Sequence, residues 1–378
     1  MEMPMEKRVT RPVVSVVVPI HNAEKFLKKC LDSICGQTLE NIEIICIDDG
    51  CTDGSLKILS DFTSKDGRIR VFSQEASNAG HARNVGMEKA SGEFLSFLDA
   101  DDWFEKEMLN SMVALAKREN ADIVFCKAKT YDQRTGRQSE KSFSLRERLV
   151  PRKKTFSVWD IDEDLFQFCR TAVWDRLYRT DFIRGERIRF QEQPRMNDCY
   201  FSLLANLRAK RIAVCNRFFV HYRINSGSSI TSISPDIAYT CSLNAFGALR
   251  RVMTEKERKF FRKSWENYLL KTIVNEISTF SVATAYSYYC LLKRCDVVLF
   301  DLTRFEVYDP FAFRMYTKYL KKDWSEEAFP RIFEKFLWDY RRQKRRSNIV
   351  KSLNGVLPLL FSHRLKSLWL QLRNMIGL

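Results

Sequence analysis

The stretch "VVSVVVPI" (13–20) is β-branched and apolar almost without a break, the pattern of a strand covered on both faces. Such a strand rules out a sheet with one wet face and demands a layer on either side. The next hundred residues supply those layers. "AEKFLKKCLDSI" (23–34) puts Phe26, Cys30 and Ile34 on one helical stripe, with Leu27 and Leu31 beside it. "IEIICIDD" (42–49) and "IRVFSQ" (69–74) read as strands, with "SLKILSDF" (55–62) as the helix between them. A third helix is expected over 80–90, a strand over 93–98, a helix over 108–120 and a strand over 121–128. Strands alternating with helices predict an α/β fold with a mostly parallel sheet, and ligands in such sheets bind outside the carboxyl ends of the strands.

Residues 129–157 are polar and aperiodic and read as a surface connection. Aromatics return over 156–223, and beyond about 235 only helical periodicity is evident. At 378 residues the chain holds two domains, or one large domain with an appendage. Its eleven cysteines show no CxxC or Cys/His metal spacing and read as reduced thiols of an intracellular protein. The opening "MEMPMEKRVTRP" is too polar for a secretory signal, and no apolar run approaches the roughly 20 residues of a spanning helix. A cytoplasmic location is therefore expected, either free or peripheral on the inner face of a membrane.

Three strand ends carry unusual chemistry. In "EFLSFLDADDWF" an apolar run stops in Asp99, Asp101 and Asp102, a crowding of like charge that needs a positive partner. A solvated acidic turn is the simple explanation. Carboxylates with one spacer also suit a hard divalent cation that bridges substrate phosphates, and such a cation would relieve the repulsion. "DDGCTDGS" sets two acids and a glycine turn before a helix, a pattern that serves an ordinary turn as well as a ribose or base contact. "NAGHARNVG" (78–86) brings Arg83 near a helix start, where free N–H groups favour anions; a surface ion pair is the alternative.

Taken in order and spacing, "VSVVVPIHN", "IDDGCTDGS", "NAGHARNVG" and "FLDADDWF" resemble family 2 glycosyltransferases of the GT-A fold. "VWDRLY", "NDCYF" and "HYRINSGSSIT" resemble the acceptor side of the bacterial members that build surface polysaccharides. The resemblance covers about Val13 to Thr231. It implies a GT-A catalytic domain over 10–235, with a nucleotide-sugar half (10–128) and an acceptor half (156–231), followed by a helical C-terminal region (236–378). The implied reaction is metal-dependent, inverting transfer of a sugar from a nucleotide-diphosphate donor, UDP-linked, to a hydroxyl of a glycan or lipid-linked acceptor in polysaccharide biosynthesis.

Carried over position by position, Pro19, His21 and Asn22 would line the base and ribose pocket, with His21 where the family often has an aromatic. Asp49 would contact the base or ribose, and Arg83 would hold base or phosphates. Asp99 would contact ribose or sugar, Asp101 would reach Mn2+ or Mg2+, and Asp102 would lie beside the donor sugar. Asp198 is the implied general base; Asn197 replaces the family's usual Glu and is placed with the acceptor. His221 would assist the metal, or else be satisfied by a backbone carbonyl. Trp174 and Tyr178 would form an acceptor platform or pack in the core.

Two rival classes fit the sequence less well. Sugar-phosphate nucleotidyl transfer uses a Gly-rich first loop that "PIHNAEKF" lacks. A non-enzymatic nucleic-acid-binding protein would suit the net charge of +16, but the best motifs are acidic and no nucleic acid is expected as a partner. The charge lies largely at the end, where residues 331–378 hold 11 Lys/Arg against 2 Asp/Glu. Arg341, Arg342, Lys344, Arg345 and Arg346, with an apolar stripe of Phe361, Leu365, Leu368, Trp369, Leu372 and Ile376, predict contact with an anionic membrane surface.

Overall fold

A computed structural model of the chain describes residues 11–139, 142, 144–161, 165–226, 234–294 and 309–360, with 347–360 as backbone alone. The first four strands and helices fall where their periodicity places them. They are β1 (Val14–Ile20), α1 (Glu24–Cys35), β2 (Ile42–Asp49), α2 (Ser55–Thr63), β3 (Ile69–Gln74), α3 (Ala79–Lys89), β4 (Phe94–Phe97) and, after a two-residue β5 (Trp103–Phe104), α4 (Met108–Glu119). All seven residues of β1 and all eight of β2 are buried, as strands covered on both faces must be.

The sheet has eight strands in the order β3-β2-β1-β4-β7-β6-β8-β5. β3, β2, β1 and β4 run parallel. β7 (Arg176–Arg179) runs antiparallel between β4 and β6 (Ile123–Asp132), β8 (Ile212–Ile224) is parallel to β6, and β5 is antiparallel to β8. The sheet is therefore mixed, an α/β architecture with a continuous parallel half (β3-β2-β1-β4) and one further parallel pair, β6 with β8. β7 and β8 escape a reading by periodicity. "RLYR" is bracketed by arginines, and the β6–β8 register shifts between Phe125 and Ala128, which breaks the alternation expected along β8.

Pro19 stands in a central strand without a backbone donor. Leu98 donates its N–H to the Val17 carbonyl, and β4 pairs no further along β1 than Val17. Residues two apart face the same neighbour in a parallel ladder, so the missing N–H of Pro19 falls where β4 has already left. A crevice opens at that point of the sheet.

Two compact units divide the chain, one reaching Thr272 and one comprising Ile273–Lys293 and the chain from Asp309. The first continues past the sheet through α5 (Thr180–Gly185), α6 (Asn197–Arg208), α7 (Cys241–Val252), α8 (Glu255–Phe260) and the start of α9 (Arg262–Ile277). Phe166 donates its N–H to Ser264 Oγ at 3.1 Å, and Phe246 meets Trp265 edge-on. The second unit holds α10 (Val282–Arg294), α11 (Pro310–Met315) and α12 (Phe329–Leu360). Phe329, Phe333, Phe336 and Tyr340 form the buried stripe of α12, and Tyr340 donates to Asn275 Oδ1 at 2.8 Å. The C-terminal region is thus helical, as expected. The predicted apolar stripe 361–376 lies outside the described residues. Among the described residues no helix is long and apolar enough to cross a membrane, and the ten described cysteines are free thiols.

Candidate active site

The carboxyl ends of β1, β2 and β4 line one crevice. At the end of β1 the His21 ring donates from Nδ1 to the Asp49 carbonyl at 2.7 Å, because a carbonyl can only accept. Its Nε2 then accepts from Asn22 Nδ2. Asn22 is left-handed (φ 48°), which turns its side-chain oxygen onto the Thr52 N–H at 2.8 Å. The two loops thereby brace each other.

Asp49 is nearly buried, and its Oδ1 accepts from Gln74 Nε2 (2.8 Å) and the Ser77 N–H (2.9 Å). Asp48 Oδ1 accepts from the Cys51 N–H. Both acids of "DDG" therefore brace the turn, and His21 and Asn22 are exposed at the end of β1.

The "NAGHARNVG" segment is a coupling device. Asn78 caps α3 through the His81 N–H. A Cβ on Gly80 would stand 2.1 Å from the Gln191 carbonyl, and one on Gly86 would stand 2.3 Å from Val17 Cγ1, so only glycine permits both close approaches. Asn84 exchanges hydrogen bonds with the Phe190 backbone, accepting its N–H at 2.9 Å and donating to its carbonyl at 3.0 Å.

Arg83 is 3% exposed; it donates from Nη1 to Asn197 Oδ1 at 2.7 Å and from Nη2 to Asp99 Oδ1 at 2.5 Å. Its guanidinium lies against the Phe190 ring. Two of its donors tie the end of β4 to the start of α6, while its Nε is buried without a hydrogen-bond partner. Asn197 is likewise buried and accepts from Arg83.

Asp198, one residue further into α6, keeps part of its surface open. Burial pushes its carboxyl up to about 6; Arg83 pulls it down and Asp99 adds to the rise. Four residues of sequence-predicted importance (Arg83, Asp99, Asn197, Asp198) thus share one electrostatic neighbourhood.

The acidic turn closes with the Asp102 N–H on the Asp99 carbonyl at 3.0 Å. Burial, then the Asp99 charge, raises the Asp101 carboxyl to about 6. Asp102 is 1% exposed; its Oδ1 accepts from the Arg223 N–H at 2.7 Å, and its Oδ2 is buried with no hydrogen-bond partner. Asp102 therefore fastens β8 to the turn, and burial drives its carboxyl well above the ordinary range.

Among the described residues no three His, Cys, Asp or Glu side chains are grouped to hold a metal ion. The donor set fits a hard divalent cation only if ligand oxygens complete its shell: a crowded Asp101 carboxyl of raised pKa gains from a cation that neutralises it.

His221 is not part of that set. Its Nε2 pairs with Glu105 Oε1 at 2.6 Å and its ring stacks on Trp103 at 4.7 Å, because β5 and β8 place residues 103 and 221 opposite each other. Its Nε2 partner is thus a carboxylate rather than a backbone carbonyl, and its Nδ1 is buried without a hydrogen-bond partner. Trp174 is nearly buried and stacks on Tyr222, and Tyr178 is fully buried between Phe97 and Phe201. Core packing, the alternative left open for this pair, is what the structure shows. Periodicity missed Glu105, and it missed the cations around Trp103, where Lys29 lies 3.4 Å and Arg223 5.0 Å from the ring. The "WFE" and "HYR" strand pairing brings Glu105, His221 and Arg223 to Trp103, and α1 adds Lys29.

The profile of glycosyl transferase family 2 matches residues 15–177. The chain is 32% identical over 223 residues to EpsH of Bacillus subtilis, a stretch that is 58% of this chain and 63% of that protein, short of two-thirds. It is 30% identical over 250 residues to the cholesterol galactosyltransferase of Borreliella burgdorferi, covering 65% of this chain and 69% of that one. In fold it is similar to residues 1–349 of S. aureus TarS, solved in complex with UDP-GlcNAc. The TM-score is 0.59 at 19% identity, over 87% of this chain and 92% of that chain.

Proposed function

Because the chain belongs to glycosyl transferase family 2, we propose that it transfers a sugar from a UDP-linked donor to a hydroxyl of a glycan or lipid-linked acceptor, with inversion at the sugar carbon. The observation that carries this reading is the Arg83 bridge. It sets the acidic turn that follows β4 beside the helix that begins with Asn197 and Asp198. A donor at the crevice and a base on its far side are the two things such a displacement requires.

Asp198 is the general base. A carboxyl raised to about 6 is ionised at neutral pH and is close enough to ambient pH to accept a proton in the transition state. It takes the acceptor's O–H proton as that oxygen attacks the sugar carbon, and the bond to the nucleotide diphosphate breaks on the opposite face. One base suffices, whereas glycoside hydrolysis uses a carboxyl pair. His21 and Asn22, exposed at the end of β1, face the nucleotide, with Asp49 holding the loop behind them. Asp101 would hold Mn2+ or Mg2+, which when bound neutralises the departing diphosphate. The UDP-GlcNAc complex of the TarS protein supports a UDP-sugar as the first donor to try.

The test is a donor screen that measures UDP release and reads the anomeric configuration of the product by NMR. Inverted product with a UDP-sugar is expected. Retained configuration, or turnover only with non-nucleotide donors, would overturn the reading.

A further inference from the structure

The longest helix among the described residues, α12, has two faces of opposite character. Phe329, Phe333, Phe336 and Tyr340 are buried at 1–6% exposure and spaced four, three and four residues apart, so one stripe packs inward. Trp338 lies 200° around the helix from Phe336 at about 100° per residue and is 60% exposed, the most exposed large aromatic side chain among the described residues.

Within about 60° of Trp338 on the same helical wheel stand Arg331, Lys335, Arg341, Arg342 and Arg345, all exposed, against the single acid Glu334. The Arg342 guanidinium lies 5.0 Å from the Trp338 ring centre. The other acid of this stretch, Asp339, is already taken by Lys318 and Tyr319. The arc is therefore a basic surface with one tryptophan at its centre.

We propose that this face of α12 seats the protein on a bilayer surface rich in anionic lipid. An indole left 60% exposed among basic side chains is a cost to the helix in water. It is, however, the combination that suits the headgroup layer, where Trp anchors at the polar–apolar boundary and basic side chains meet lipid phosphate. The helix lies along the surface and does not enter it end-on, since no described helix is long and apolar enough to cross. The anchor is a different one from the apolar stripe expected over 361–376. It is a single Trp at the centre of the basic arc. The seat is independent of the transfer chemistry, and its failure would leave that chemistry untouched.

The test is flotation of the full chain with phosphatidylcholine vesicles, with and without phosphatidylglycerol. The wild-type protein should float only with the phosphatidylglycerol vesicles and should be released as salt rises. Trp338→Ala, and separately the double variant Arg341→Glu/Arg345→Glu, should each weaken binding at least about tenfold, as expected where each basic residue and the indole add to the attraction. All these positions are exposed, so melting temperature and sugar transfer should stay at wild-type values. Brominated phosphatidylglycerol should quench a part of the tryptophan emission that Trp338→Phe removes. Equal binding to both vesicle types, or unchanged binding by both variants, would overturn the proposal. So would displacement by an oligonucleotide without bromine quenching, or a concentration-dependent dimer that Trp338→Ala dissolves.

Discussion

Arg83 donates to Asn197 Oδ1 at 2.7 Å across 114 residues of chain, and its other terminal nitrogen holds Asp99. Asn197 stands where the resemblance expects a glutamate. A neutral amide at that position leaves the Arg83 charge to Asp99 and Asp198 without a third carboxylate to share it. The tie therefore fixes the start of α6 and lowers the pKa of the Asp198 carboxyl, the proposed base.

The pH dependence of turnover should show that tuning. Asp198 must be ionised to accept a proton, so turnover should fall as pH drops through about 6. Arg83 lowers this carboxyl's pKa, so Arg83→Gln should move the acid limb to higher pH and Arg83→Lys should restore much of it. The check is turnover at saturating donor across pH; a limb that stays in place in Arg83→Gln would contradict the assignment.

Asp198→Asn should leave UDP-sugar affinity intact and slow transfer by roughly 10²- to 10⁴-fold, the worth of a positioned general base. Calorimetry and single-turnover transfer separate the two quantities. An Asp198→Asn protein with ordinary turnover would move the base elsewhere.

Metal dependence should follow Asp101 and not His221. Asp101→Ala should abolish stimulation by Mn2+ or Mg2+ while the protein stays folded. His221→Ala should remain metal-stimulated but melt earlier, having lost the Trp103 stack and the Glu105 pair. Titrating metal into each EDTA-treated variant decides it, and a His221→Ala protein blind to metal would restore His221 as a ligand.

Gly80→Ala should cost about 1–3 kcal/mol of stability, the usual range for overpacking a close contact. The new methyl would press on the Gln191 carbonyl and push the 189–197 segment off α3. Because that segment leads into Asp198, transfer should drop more than UDP affinity does. Thermal melting and the ratio of turnover to affinity check both parts.

The legibility of this chain divides by range. β1 to β4 and α1 to α4 were readable because each is specified within its own window: apolar runs buried on both faces for the strands, a 3.6-residue stripe for the helices. "DADD" was also visible as a strand end crowded with charge. β8 was not, since its alternation is broken by a register shift against β6 that depends on a partner strand over eighty residues away.

The sequence by itself determined the α/β alternation, the end of the strands at which the chemistry gathers, and the residue types available there. The tertiary structure decided how those residues are spent. Arg83 became a bridge because Asp99 and Asn197 arrive on either side of it, and Asp102 became a fastener for β8. His221 turned to Glu105 because β5 lies opposite, and Tyr178 sank between Phe97 and Phe201. The physical reason is that periodicity is a property of neighbours in the chain. A buried polar side chain must instead be satisfied by whichever group the fold brings within about 3 Å, and no local pattern names that group.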